Sequence, residues 1–426
     1  MGISRRNLLK AGTLLSTAAA LPELAAAQAR EAAELPEAFK ALQPVGDRLR
    51  PITTEEFQGR IQHAQQLMAQ TKPAFDALYV TPGTSLYYYT GIRWSLSERL
   101  LALAIPRQGH PLMVCPAFEE GRLRELLRWP IDVRAWQEDE NPSGLVAKWF
   151  AERSIRTGRI GIEETTRFTF CDALRHAAPA LEYVTGDPLT MGCRARKSAH
   201  ELELMRLACQ ATCDVFRAVF ASLREGMTQR DIGALVSRGF QRLGLSGGAL
   251  VLLGPYAALP HGTTQPQKLA EGQIVLMDGG TSVDGYASDV TRCTVLGKPS
   301  GKLLRAFDTV RQAQEAALAA AVRGRLSGSV DDAARAVITA AGYGKGYELF
   351  THRVGHGIGL DGHEHPYLVR GSKTVLEPGM TFSNEPGIYV RGDYGLRLED
   401  DMVIAEEGRA QLLTPGLSPG LENPLG

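Results

Sequence analysis

Apolar and polar positions alternate with helical spacing over residues 55–70, which predicts an amphipathic helix. Short apolar runs of strand length follow at Ala77–Val80, Leu100–Ile105 and Leu112–Val114, so Thr53 to Pro188 reads as a mixed α/β domain. Gly186-Asp187-Pro188 is a turn signal, after which long helical patterns cover 197–224 and 229–243, and the domain boundary is placed near residue 190. Further on, the apolar run Ile274–Met277 ends in Asp278-Gly279-Gly280, and a strand-like run Tyr286–Leu296 carries Asp289. The intervening Thr281–Gly285 is short and flanked by glycine, which predicts an antiparallel hairpin. Helical patterns at 301–322 and 329–341 precede strand-like runs, one ending at Glu385-Pro386-Gly387 and one spanning Leu396–Ile404. The predicted architecture is an α/β domain over 46–188 and an α+β domain of curved antiparallel strands with helices on one face over 190–410. A tail over 411–426 follows.

A chain of 426 residues exceeds one ordinary core, which fits two domains behind a leader. The 47 acidic and 47 basic side chains cancel, and no run of five Lys or Arg occurs, so the electrostatic footprint of a nucleic-acid binder is missing. Six cysteines occur without a C-x-x-C pair, which argues against a zinc knuckle or redox motif and for buried free thiols.

At the start, Ser4-Arg5-Arg6-Asn7-Leu8-Leu9-Lys10 precedes an alanine-rich apolar stretch ending at Ala25-Ala26-Ala27-Gln28-Ala29. Residues 1–29 resemble a twin-arginine export leader, which implies a periplasmic destination; an ordinary secretory leader or an attached amphipathic helix is the other reading. Pro22 and Glu23 leave the stretch too short for a permanent membrane span, and Arg6 breaks the myristoylation pattern that Gly2 would begin.

Candidate chemistry gathers in the second half. Asp278 follows four apolar residues, an expensive place for an anion without a cation or several donors. His356 lies in Val354-Gly355-His356-Gly357-Ile358-Gly359, where glycines permit close backbone approach. Glu385 meets Pro386-Gly387, and Glu399 lies in Arg397-Leu398-Glu399-Asp400-Asp401. Singly, each acid reads as a turn or surface residue. Together, with Asp289, they make four carboxylates and one imidazole, a donor set suited to Mn²⁺, Co²⁺ or Zn²⁺. Two such ions balance the four negative charges.

The order Asp-x10-Asp, His in a glycine-flanked loop, Glu before Pro-Gly and Glu after Arg-x resembles the proline-specific metallopeptidases of the pita-bread fold, prolidase and Xaa-Pro aminopeptidase. The resemblance covers roughly 55–405, including a creatinase-type N-terminal domain. It implies that Asp278 holds a first metal, that Asp289 and Glu399 bridge two, and that His356 and Glu385 hold the second. It further implies that His261 and His363 contact substrate and the developing oxyanion, that His352 stands close by, and that Arg397 orients the bridging carboxylates. The implied activity is hydrolysis of the Xaa-Pro bond of dipeptides or short peptides by a hydroxide shared between two divalent ions, with manganese favoured and Glu385 passing the proton. A homodimer or homotetramer is implied as well. Arg93, Trp94 and the run Leu86–Tyr89 are candidates for a proline pocket, against simple core packing. His365 is undecided beside His363, while His176 and His200 are expected at the surface. The short Glu385-to-Glu399 interval leans toward a dipeptidase. Rival readings are a metal-dependent lyase or amidohydrolase on a small substrate, or a non-enzymatic peptide-binding module of the same fold.

Overall fold

The computed structural model describes residues 35–426; the expected leader over 1–29 lies outside the described residues. Helix α1 (Thr54–Gln70) begins with a reciprocal cap, in which Glu56 N–H donates to Thr53 Oγ1 at 3.3 Å and Thr53 N–H to Glu56 Oε2 at 2.8 Å. It buries Phe57, Ile61, Ala64 and Met68. A six-stranded sheet follows from β1 (Ala77–Val80), β2 (Ala102–Pro106), β3 (Leu112–Pro116), β4 (Asp132–Trp136), β5 (Gly158–Ile162) and β6 (Leu181–Thr185), ordered β4-β3-β2-β1-β5-β6. Strand β1 runs parallel to β5 and antiparallel to β2. Strands β1 to β3 are buried at every position, because helices cover both faces and an alternating pattern is unnecessary. Those helices are α2 (Thr84–Thr90), α3 (Glu120–Leu126), α4 (Pro142–Glu152), α5 (Phe168–Ala177) and α6 (Asp187–Arg194). Leu189 and Cys193 of α6 pack into the core of this first domain.

Helices α7 (Ala199–Phe220) and α8 (Gln229–Arg242) lead into β7 (Gly247–Leu253), β8 (Ile274–Val283), β9 (Tyr286–Ala287) and β10 (Val290–Val295). Helices α9 (Gly301–Ala320) and α10 (Gly328–Ala340) come next. The last strands are β11 (Gly355–Gly357), β12 (Glu364–Leu368), β13 (Thr381–Asn384), β14 (Gly387–Val390), β15 (Tyr394–Arg397), β16 (Asp400–Ile404) and β17 (Ala410–Leu412). They form antiparallel sheets ordered β10-β8-β7, with β9 on β8, and β12-β11-β13-β16-β17, plus the hairpin β14-β15. A bridge from Thr291 to Glu399 ties the first of these sheets to the turn between β15 and β16.

Alternation along β8 sends Val275 and Met277 into the core under α7 and α8, and Ile274 and Leu276 into the core shared with α9 and α10. Asp278 continues the second face. Two expectations are corrected. Strand β8 does not give way to a turn at Thr281 but runs to Val283, since the tight turn is only Asp284-Gly285, both at positive φ (46° and 91°). The run Leu396–Ile404 is two strands, parted at Leu398-Glu399, which lifts Glu399 off the ladder. All six cysteines are free and five are buried. The tail is tied down, with Arg292 Nη2 donating to Gly416 O at 2.9 Å and Thr294 Oγ1 to Leu421 O at 2.7 Å.

Candidate metal centre

Asp278 and Thr291 are directly paired across β8 and β10. The Thr291 hydroxyl lies 2.9 Å from Asp278 Oδ1 and 2.6 Å from Glu399 Oε2, and it accepts from Arg397 Nε at 3.1 Å. One hydroxyl hydrogen cannot serve both carboxylates, so charge is left over between them. Arg397 also pairs with Asp278 Oδ2. Asp289 sits just before β10, its backbone N–H donating to Asp401 Oδ2 at 2.9 Å.

His356 occupies the centre of β11. Its flanking glycines are sterically required: a Cβ on Gly355 would lie 2.1 Å from Ser383 O, and one on Gly357 would lie 2.5 Å from Glu364 O. Nδ1 is 3.1 Å from Gly357 O, which favours the Nδ1–H tautomer and leaves the Nε2 lone pair facing Glu385 Oε1 at 3.4 Å and Asp289 Oδ2 at 3.9 Å. The His363 ring stacks on His356 with centroids 3.7 Å apart. His352 is held by Arg353 O at Nδ1 (2.8 Å) and by the Tyr389 hydroxyl at Nε2 (2.7 Å), and that hydroxyl accepts from Arg397 Nη1 at 2.9 Å. The four carboxylates, His352, His356, His363 and Arg397, with His261, Pro260 and Arg353, line one cavity of about 260 Å³.

Three overlapping groups could each hold an ion: Asp278, Asp289 and Glu399; His356, Glu385 and Glu399; and Asp289, His356 and His363, with ligand atoms of each group within 4.8 Å of one another. The electrostatics fit that role. Burial and neighbouring carboxylates push Asp289 and Glu399 well above the usual carboxylate range, and burial with Asp278 nearby raises Glu385 to about 8. Burial would raise Asp278 too, but Arg397 and Thr291 hold it low. Burial lowers His352 and His356 to about 3, so both imidazoles are neutral, the form that ligates metal. A crowd of buried acids with too few fixed cations accepts divalent ions readily.

The five expected ligands, His261, His352, His363 and Arg397 therefore meet at one cavity. Arg93 and Trp94 do not reach it within the chain. Arg93 stacks on the Tyr87 ring at 3.9 Å, while Trp94 packs on the first-domain core beneath Arg122. Leu86, Tyr88 and Tyr89 are core residues. His365 leans on Tyr367, away from the cavity, and His176 is exposed. His200 departs from its surface expectation: it is half-buried between the domains because Glu56 and Arg50 O accept both ring nitrogens. Residue-by-residue reading missed Arg353, Tyr389 and Asp401 as members of the site. Asp401 left a trace, as an acid opening the apolar run Met402-Val403-Ile404.

Residues 203–406 match the model of metallopeptidase family M24, and residues 60–196 match the creatinase/prolidase N-terminal domain. A probable dipeptidase PepE from Mycobacterium tuberculosis is 36% identical over 336 residues, covering 78% of this chain and 88% of its own. This chain belongs to metallopeptidase family M24. Among other relatives, an Xaa-Pro dipeptidase from Lactobacillus helveticus is 34% identical over 345 residues (78% of this chain, 91% of its own). Of solved structures, dipeptidase PepE from Mycobacterium ulcerans superposes with a TM-score of 0.79 at 32% identity, covering 88% of this chain and 99% of that one. A prolidase from Thermococcus sibiricus does so with 0.77 at 30% identity, covering 85% and 98%.

Proposed function

We propose that this M24 metallopeptidase is an Xaa-Pro dipeptidase that uses two divalent ions, Mn²⁺ first and Co²⁺ or Zn²⁺ as alternatives. The observation that carries the reading is the cavity where four carboxylates and the His356 imidazole converge beside Arg353. Asp278, Asp289, His356, Glu385 and Glu399 would hold the ions, which when bound lower the pKa of water and polarise the scissile carbonyl. The chain's own groups do the rest. Glu385 Oε1 and Oε2 take a proton from the attacking water and hand it toward the departing proline nitrogen. His261 and His363 donate to the oxygen of the carbonyl as it gains charge. Tyr389 and the Arg353 carbonyl fix the His352 ring, and Arg397 fixes Asp278. The Arg353 guanidinium pairs with the free carboxylate of a dipeptide, the feature that separates Ala-Pro from longer peptides. Proline offers no N–H, so the substrate brings no buried donor needing a partner at that position.

Turnover of Ala-Pro, Ala-Pro-Ala and Ala-Ala by manganese-loaded protein tests this. Ala-Pro is expected to be cleaved fastest; faster cleavage of Ala-Pro-Ala would make the enzyme an aminopeptidase, and no cleavage of either proline peptide would defeat the reading. Export through a twin-arginine leader is proposed from Arg5-Arg6, and Arg5→Lys with Arg6→Lys is expected to stop it. Arg93 and Trp94 would meet substrate only across an interface between copies, so a fully active monomer by light scattering would remove them.

A further inference from the structure

His363 is exposed, on a short loop after β11, yet its ring is placed against His356. Anchors stand on both sides of it. One residue later, the buried Glu364 carboxylate receives Arg194 Nη2 and Lys197 Nζ, each at 2.5 Å. Two residues earlier, Asp361 pairs with the same Arg194 nitrogen and accepts from Thr84 Oγ1 at 2.5 Å. Arg194 ends α6 and Thr84 opens α2, both in the first domain, and Lys197 lies in the link between domains. The cluster is packed so closely on Gly359 that a Cβ there would lie 2.5 Å from Glu364 Oε1 and 2.7 Å from Lys197 Cε. Gly359 itself is held by Ala287 N–H, which donates to its carbonyl at 2.7 Å, and it donates to Asp361 O at 3.0 Å.

We propose that Arg194, Lys197, Glu364 and Asp361 are positioning residues for His363, so that the first domain of the chain sets the geometry of the same chain's catalytic cavity. Ile358 and Leu360 seat the start of this loop in apolar cores, and beyond them the ion-pair clamp around Asp361 and Glu364 supplies the ordering that a donor to a developing oxyanion needs at the exposed His363. This rests on the proposed peptidase reading.

The test compares Glu364→Gln and Asp361→Asn in the wild-type and in a His363→Ala background, measuring kcat and KM on Ala-Pro with Mn²⁺. Each is expected to lower kcat by about tenfold in the wild-type background, with KM little changed, and by less than about twofold once His363 is gone. Equal losses in both backgrounds, or no loss in a folded variant, would overturn the proposal. Asp361 is partly exposed, so Asp361→Asn keeps the test alive if Glu364→Gln does not fold. If the wild-type enzyme cleaves no proline peptide, the functional reading fails separately, and a crystal structure of Asp361→Asn decides: a His363 ring displaced from His356 by about 1 Å or more supports the clamp, and an unmoved ring refutes it.

Discussion

Two buried acidic clusters lie close together in this molecule and behave oppositely. Glu364 at the domain seam and Glu399 in the cavity are both nearly without solvent contact, at 8% and 2% exposure. Although burial pushes Glu364 upward, Lys197 and Arg194 bring it below the ordinary carboxylate range, whereas burial and the repulsion of Asp289, Glu385 and Asp278 drive Glu399 far above it. The seam carries its own cations, two against the two acids Glu364 and Asp361. The cavity groups four carboxylates with Arg397 and Arg353. An interior therefore tolerates acids in two ways, with countercharge built into the chain or with countercharge to be supplied, and only the second leaves room for chemistry.

Charge-removing substitutions should separate the clusters. Glu399→Gln is expected to reduce hydrolysis of Ala-Pro by more than about a hundredfold, beyond the usual cost of losing a group behind the ligands, while leaving the melting temperature of metal-free protein unchanged or higher. Glu364→Gln is expected to do the reverse to stability, costing about 3 kcal/mol because it strands two buried cations, visible as a fall of several degrees in calorimetry.

A pH series sharpens the contrast next. Glu385 titrates near 8 when folded, against an ordinary value of 4.5, so the metal-free folded state binds more protons than the unfolded chain between those values. Stability of chelator-treated protein should then fall as pH rises from about 4.5 to about 8, and saturating Mn²⁺ should abolish the trend. The Glu364 pairs act with the opposite sign. Its folded value is depressed, so their contribution is present above 4.5 and is lost as pH falls further. The smallest effect belongs to His200, raised by Glu56 although burial opposes it. Its contribution is present below 6.5 and lost as pH rises through the raised folded value, so His200→Gln should cost under about 1 kcal/mol at pH 6 and less than that above the folded value.

Much of the site was legible because ligand chemistry marks the chain directly. Asp278 after an apolar run, His356 between glycines and Glu385 before Pro-Gly are each locally odd, and their order carried the family. The groups that hold them in place leave no such mark. Glu364 meets Arg194 and Lys197 across 170 and 167 positions, and Tyr389 meets His352 only because β14 folds beside that loop. The length of β8 was misread because its backbone ladder to β7 and β9 continues through Gly279-Gly280-Thr281, where side-chain alternation gives no signal. Arg93 and Trp94 carry no such local oddity; within the chain Tyr87 and the first-domain core hold them, and only a second copy would bring them to substrate.

The central claim is that the cavity's excess of negative charge is a binding site for two divalent cations. Chelator-stripped protein reloaded with Mn²⁺, desalted and measured by mass spectrometry of its metal content, tests it. Two ions per chain are expected, falling to one or fewer in Glu399→Gln; a wild-type chain that retains no ion, or the same number as that variant, would contradict the account.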